Sequence, residues 1–377
     1  MVLLTYEPGG KIWERFGHNA LWIHDSVTGR DDHYDYGRFS FERPHFVLRF
    51  LQGRMWYSMG YESNVPGVIA AYAREGRKIW AQELELSPAQ RLALREYLER
   101  NYRPENREYF YDYYRDNCST RIRDALEHVL GGAIRRYAER PSGMTWRDET
   151  RRLNENRIPL YTGLLLALGE PVDRTMSRWE QMFLPMRLRE HLDSVAVTRE
   201  DGSAKPLVRS ERVLNDGGRW PVPDRPSNWL AGYCAAGILI GLGFALLGAT
   251  RLFMPMATLW ALLIGVLGLV ITYLWALSYH VAAHQNENIL LCNLLALAFA
   301  VTLPSASRGR GWARGPAHVL AWILVAAAGF ALVLKLFPGT QHNLEGIALL
   351  LPAHLGVAIG LERCLARLPS ARVSAPS

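Results

Sequence analysis

The chain has 377 residues, carries a net charge of +7 and is 49% hydrophobic, yet its mean hydropathy is near zero. That combination excludes a single uniform globule, because residues 1 to about 226 are polar and rich in Arg and aromatic side chains, whereas 229–362 are mostly apolar. Four cysteines, only one of them before residue 230, exclude a disulfide framework in the polar part.

Taken in chain order, residues 1–60 predict β structure. Val2–Tyr6 reads as a strand and follows Met1 directly, with no charged and apolar leader before it. Arg15–Asp25 reads as a strand, Ser26–Arg30 as a hairpin turn with Thr28-Gly29, and His33–Gly37 as the return strand. Phe46–Tyr61 holds a further strand or short helix, Pro66–Ala73 a helix and Lys78–Leu86 a strand. Ser87–Arg100 predicts a helix: Ser87 caps it, Pro88 follows, and Leu92, Leu94 and Leu98 recur on one side. Glu108–Tyr114 reads as a Tyr-rich strand that runs into Cys118. Helical apolar spacing then begins at Ile122, Ala125, Leu126, Val129 and Leu130, with Asp116 or Asn117 placed to cap and Gly131-Gly132 to stop the helix. Residues 150–196 predict two or three helices; Leu160–Leu168 is apolar but too short to span a bilayer. The stretch 201–228, with prolines at 206, 221, 223 and 226, reads as a linker. The expected organisation is a catalytic domain over 1–200, this linker, a transmembrane domain over 229–362 and a tail over 363–377.

Five hydrophobic stretches follow: Trp229–Ala249, Leu252–Leu277, Ile289–Leu303, Ala317–Phe337 and Leu344–Leu361. About 20 apolar residues cross about 30 Å of hydrocarbon, so these predict about five transmembrane helices, the third being short and carrying Asn293. Arg251, Arg308, Arg310, Arg314, Arg363, Arg367 and Arg372 fall on one side, and the loops 278–288 and 338–343 hold no Lys or Arg. The excess of positive charge on cytoplasmic loops puts the arginines inside and the N-terminal domain outside, in the periplasm, with Lys335 snorkelling at the outer surface. An outward domain without a leader implies an upstream signal or anchor segment, or else the inverse topology. Since part of the net charge belongs to these cytoplasmic arginines, it speaks for membrane orientation and not for nucleic acid.

Cys118 carries the chemistry. A lone thiol at a helix start sits where backbone N–H groups and the positive end of the helix dipole favour the thiolate, its nucleophilic form. Such a nucleophile needs a base, and His18 stands out among the histidines because it follows Gly17 and opens a strand. A strand-end His facing a helix-start Cys is the geometry of papain-like thiol enzymes. A third group should orient His18. In a hairpin centred near 27–28 its partners fall at about 35–38, where Asp35 and Tyr36 point to opposite faces, so one register slip decides between them. Asp35 is preferred because a carboxylate stabilises imidazolium; Tyr36 and His33 are the alternatives. His280, Asn286 and Asn288 in the uncharged outer loop are candidate headgroup contacts. His280 and His284 lack a third ligand, so neither a metal nor another cofactor is expected.

Several runs carry a family resemblance: Phe-Gly-His-Asn-Ala (16–20), Tyr-Asp-Tyr-Gly (34–37), Asp-Asn-Cys-Ser-Thr-Arg-Ile-Arg-Asp (116–124), Trp-Glu-Gln-Met-Phe-Leu-Pro (179–185), and the Ser-Tyr-His and Asn-Glu-Asn-Ile-Leu-Leu runs within 278–291. In that order they resemble the bacterial Lnb family of lipoprotein N-acyltransferases, over roughly residues 3–362. The resemblance implies an α+β, permuted papain-like domain, similar to lecithin:retinol acyltransferase and NlpC-type proteins, followed by membrane helices in the bacterial inner membrane. It implies transfer of an acyl chain from phospholipid, through a Cys118 thioester, to the N-terminal amine of a diacylated apolipoprotein. A phospholipase or cell-wall amidase using the same Cys-His pair is the alternative.

Overall fold

The computed structural model describes residues 1–198, 202–218 and 221–367. Arg372 and residues 368–377 of the expected tail lie outside the described residues, as do 201, 219 and 220 of the expected linker. The chain folds as two units: Met1–Asn154 with Arg174–Pro226, and Glu155–Asp173 with Ser227–Ser377.

The first unit is built on strands β1 (Val2–Tyr6), β2 (His18–His24), β3 (Asp31–Arg38), β4 (Trp56–Glu62), β5 (Lys78–Leu84) and β6 (Glu108–Phe110). Two small pairs, β7 (Pro141–Thr145) with β8 (Thr175–Ser177) and β9 (Ala196–Thr198) with β10 (Ala204–Pro206), lie apart from them. A last strand, β11 (Val208–Asp216), completes an antiparallel seven-stranded sheet in the order β11-β5-β1-β2-β3-β4-β6. This corrects the linker expectation. Pro and Gly flank the segment, but nine residues between them pair along β5 and form the sheet edge.

Period-2 alternation gives the sheet two buried faces. Leu4, Tyr6, Ala20, Ile79 and Ala81 pack beneath helix α2 (Val65–Arg74), which follows α1 (Phe46–Gln52) in sequence. Leu3, Leu21, Ile23, Tyr34, Tyr36 and Met59 form the other face, against helices α3 (Pro88–Tyr102) and α4 (Cys118–Leu130). Leu94 and Leu98 of α3 and Ile122, Ala125, Leu126 and Leu130 of α4 are the residues buried there, at the spacing the sequence displays. Shorter helices α5 (Ala133–Ala138), α6 (Trp146–Asn154), α8 (Arg178–Gln181) and α9 (Pro185–Leu192) complete the unit, with Leu188 and Leu192 of α9 in the same core. The expected Tyr-rich strand is cut to Glu108–Phe110, because the Asp112 carboxylate turns the chain by accepting the N–H groups of Tyr114 and Arg115.

The second unit holds α7 (Ile158–Ala167), α10 (Leu230–Leu247), α11 (Phe253–Ala276), α12 (Leu295–Ser307), α13 (Gly311–Leu334) and α14 (Leu344–Leu365). Five stretches are long and apolar enough to cross a membrane; the third runs from Glu287 to Ser307 and includes a 3-10 turn, with Asn293 capping the Leu295 N–H. The α7 helix is therefore not part of the first unit as expected: Tyr161 donates to the buried Glu345 carboxylate of α14 at 2.8 Å. Glycines let α10 and α14 approach backbone to backbone. A Cβ on Gly241 would lie 2.3 Å from the Pro352 carbonyl, and one on Gly356 only 2.0 Å from that of Gly241. Lys335, expected to snorkel, donates to the Glu287 carboxylate and to the Gln341 carbonyl, both in the loops expected on the outer side.

Candidate active site

The start of α4 is fixed from within the chain. Asn117 has extended φ/ψ and caps the helix: its Oδ1 accepts the N–H groups of Ser119 (2.8 Å) and Thr120 (3.0 Å), and the Thr120 hydroxyl accepts the Asn117 N–H. The other end of the same amide donates to the carbonyls of Tyr113 (2.7 Å) and Phe183 (2.9 Å). Ser119 Oγ donates to the Met182 carbonyl. Thus the run 116–120 and the run 179–185, distant in sequence, are stitched together on both sides of Cys118. Arg121 donates two hydrogen bonds to the Asp116 carboxylate and stacks on the Tyr109 ring. The cap uses residues 119 and 120 and leaves the thiol of Cys118 to other partners; it is half-buried and free of any disulfide.

His18 opens β2. Gly17 before it has a φ of +81°, and a Cβ there would lie 2.7 Å from the Tyr6 carbonyl, so this tight entry is open to glycine alone. The β1–β2 register sets Tyr6 opposite His18. Tyr72 of α2 stacks on Tyr6 at 3.9 Å, and the His18 ring lies 6.1 Å from Tyr6 and 6.2 Å from Tyr72.

The β2–β3 register pairs Ala20 with Asp35, which puts His18 and Asp35 diagonally on one face and turns Tyr36 to the other. His18 Nε2 and Asp35 Oδ2 are 3.3 Å apart. The second Asp35 oxygen accepts from Arg38 Nε at 2.8 Å, and Arg38 also reaches Glu62. Burial disfavours the Asp35 carboxylate, but His18 and Arg38 outweigh it and hold its pKa far below the usual range. Burial likewise works against a charged His18. The Tyr72 phenol, the Cys118 sulfur and the Asp35 carboxylate overcome this and hold its pKa well above the ordinary histidine value, with hydrogen bonds to Asp35 and to Cys118 contributing. Cys118 itself abuts the end of β3, where a Cβ on Gly37 would lie 3.5 Å from its own.

The structure thus brings Cys118, His18 and Asp35 together. The other two candidates for orienting His18 lie elsewhere. Tyr36 packs its ring edge against Tyr109 on the opposite face. His33 shares the face but bonds to the Tyr6 hydroxyl at 3.2 Å, and burial pushes its pKa down to about 4. Sequence reasoning missed Arg38, three residues after Asp35, and Tyr72, which only helix packing brings to His18.

In the second unit the expected headgroup contacts need correction. Asn286 and Asn288 are fully buried. Asn286 Nδ2 donates to the carbonyls of Leu166 and Ala167, and Asn288 Nδ2 to those of Leu165 and Leu166, so both close the C-terminal end of α7. His280 is half-buried before the turn Val281–Ala283, and His284 bonds back to the Ser278 carbonyl. Among the described residues no three His, Cys, Asp or Glu side chains gather to hold an ion.

Residues 1–152 match the family model of the Lnb N-terminal periplasmic domain. That stretch includes β1 to β6, α4, His18, Asp35 and Cys118. No curated protein and no solved structure matches the chain.

Proposed function

We propose that this Lnb-like membrane protein is a cysteine-dependent acyltransferase of the bacterial inner membrane, with its first unit in the periplasm. It would move an acyl chain from a phospholipid to the N-terminal amine of a diacylated apolipoprotein. One observation carries the reading: a thiol at a capped helix start neighbours a histidine that a buried carboxylate holds in place. A strand His ahead of a helix Cys in sequence also supports a permuted papain-like domain.

His18, held above its usual pKa, accepts the Cys118 proton, and the sulfur attacks the ester carbonyl of the lipid. The tetrahedral oxyanion would be held by N–H groups at the start of α4. The ester C–O bond breaks, His18 returns the proton to the departing alkoxide, and a lysophospholipid leaves a thioester on Cys118. The lipoprotein amine then attacks that thioester. Its proton passes to His18 and on to the sulfur, and an amide is released. Asp35 stabilises the imidazolium at each transfer, and Arg38 keeps Asp35 ionised.

Incubation of the full chain with phospholipid, followed by mass spectrometry, tests the reading. An acyl group in thioester linkage on Cys118, absent from Cys118→Ala and transferred to a lipopeptide amine, is the expected result. Release of free fatty acid with no acyl-peptide would instead identify a hydrolase, and a chain that acylates the amine equally well as Cys118→Ala would overturn the role of the thiol.

A further inference from the structure

The segment from Phe39 to Arg54 does not behave as the surface of a soluble domain. Helix α1, Phe-Val-Leu-Arg-Phe-Leu-Gln, buries none of its residues. Val47 is 69% exposed, Phe50 55% and Leu48 51%. Phe41 is 55% exposed and Trp13, from the loop before β2, 52%. These side chains form one patch. The Trp13 and Phe41 rings meet at 5.3 Å and those of Phe41 and Phe46 at 4.8 Å. Soluble surfaces seldom leave a contiguous patch of large apolar side chains open to water.

The charge of the segment leans positive. Within Phe39–Arg54 the charged side chains are Glu42, Arg43, Arg49 and Arg54, and Arg43 is paired with Glu108. An apolar short helix with a Trp at its border and arginines beside it has the composition of an element that sits in the interface of an anionic bilayer. The same chain carries five helices long and apolar enough to cross a membrane.

The patch is also continuous with Cys118. The ring of Phe39 lies 5.0 Å from that of Phe41 and 5.1 Å from that of Tyr57, and Tyr57 stacks on Tyr111 at 4.0 Å. Tyr111 and Cys118 in turn flank Gly37, at 4.0 and 3.5 Å from the place of its missing Cβ. We infer that α1 with Trp13 and Phe41 is a lipid-docking face that dips into the bilayer, and that the row Phe39–Tyr57–Tyr111 guides a phospholipid acyl chain from it toward Cys118. The purpose of this face rests on the reading of Cys118 as an acyl carrier; its location in lipid does not.

The test uses the full chain, with Cys118 intact, reconstituted in vesicles of phosphatidylethanolamine and phosphatidylglycerol. A photoreactive benzoylphenylalanine replaces Phe50 in one variant and Val47 in a second, with Glu96 on the exposed side of α3 as control. The two sites guard against one variant failing to fold. After irradiation, phospholipid adducts at 47 and 50 should exceed those at 96 by about tenfold, the preference that burying one large apolar side chain confers. Cross-links to another part of this chain or to a second copy would show that protein covers the face, and would overturn the inference. Absence of adducts at both sites would place it in water and overturn it equally. Neither result depends on catalysis, so failure here leaves the thioester experiment to judge the chemistry by itself.

Discussion

At the scale of single residues the site rests on a chain of contacts that runs from Cys118 through His18, Asp35 and Arg38 to Glu62. Each member corrects the one before it, since a buried imidazolium needs a carboxylate and a buried carboxylate needs a cation. Asp35→Asn keeps the shape but removes that charge. It should slow thioester formation about a hundredfold or more, as measured by single-turnover mass spectrometry with excess lipid. The same change has a signature in stability. The Asp35 pKa is depressed in the folded state, so its contribution is present above the ordinary aspartate value of about 3.9 and fades as the pH falls toward the folded value. The His18 pKa is raised, so its contribution is full below about 6.5 and is lost as the pH climbs through the folded value. Asp35→Asn should therefore flatten both the acid and the alkaline sides of a plot of melting temperature against pH; an unchanged profile would mean that the pair is not coupled in solution.

At the scale of elements the important joint is the start of α4. The Asn117 amide is both cap and brace, accepting two helix N–H groups and donating to two carbonyls. Asn117→Asp preserves the acceptor and loses the donors, leaving the Tyr113 and Phe183 carbonyls facing a carboxylate. A loss of about 1–3 kcal/mol is expected from the unsatisfied buried groups, visible as a lower melting temperature in detergent. The capping interaction alone is worth about 1 kcal/mol, so Asn117→Ala should cost more than Asn117→Asp if both roles count. Among the membrane helices, α10 and α14 meet at glycines. Gly241→Leu would drive a side chain into the Pro352 carbonyl, and should separate this pair and lower the detergent melting temperature, whereas the same change at Gly243, where nothing lies within 4 Å, should not.

At the scale of the whole molecule, the arginine pattern assigns sides to the spans. A membrane-impermeant thiol label should reach a cysteine placed at Thr340 from outside intact, wall-stripped cells, and one placed at Gly309 only after lysis. The reverse pattern would invert the topology and put the first unit in the cytoplasm. Membership of one chain in two solvents explains its near-zero mean hydropathy: a sheet domain that alternates every second residue is joined to helices that are apolar all round.

Much of this was legible without coordinates. The spans, the helix that starts at Cys118 and the β hairpin depend on local periodicity, capping and turn chemistry, which neighbouring residues fix by themselves. The identity of Cys118 and His18 as the reactive candidates was legible for the same reason, since a helix start and a glycine-led strand are local features. Asp35 was reachable only as one of three alternatives, because the choice turned on a register that spacing in the hairpin left one residue wide. Residues 208–216 looked like linker because an edge strand needs β5 beside it to be a strand at all. Asn286 and Asn288 looked free for a ligand because the carbonyls they close belong to α7, some 120 residues earlier. Tyr72 and Arg38 joined the site only through packing and through the turn of β3. The sequence by itself determined which elements form and which side chains can react; the tertiary structure decided which of those side chains meet, because contacts between residues far apart in the chain depend on register and burial that no local pattern encodes.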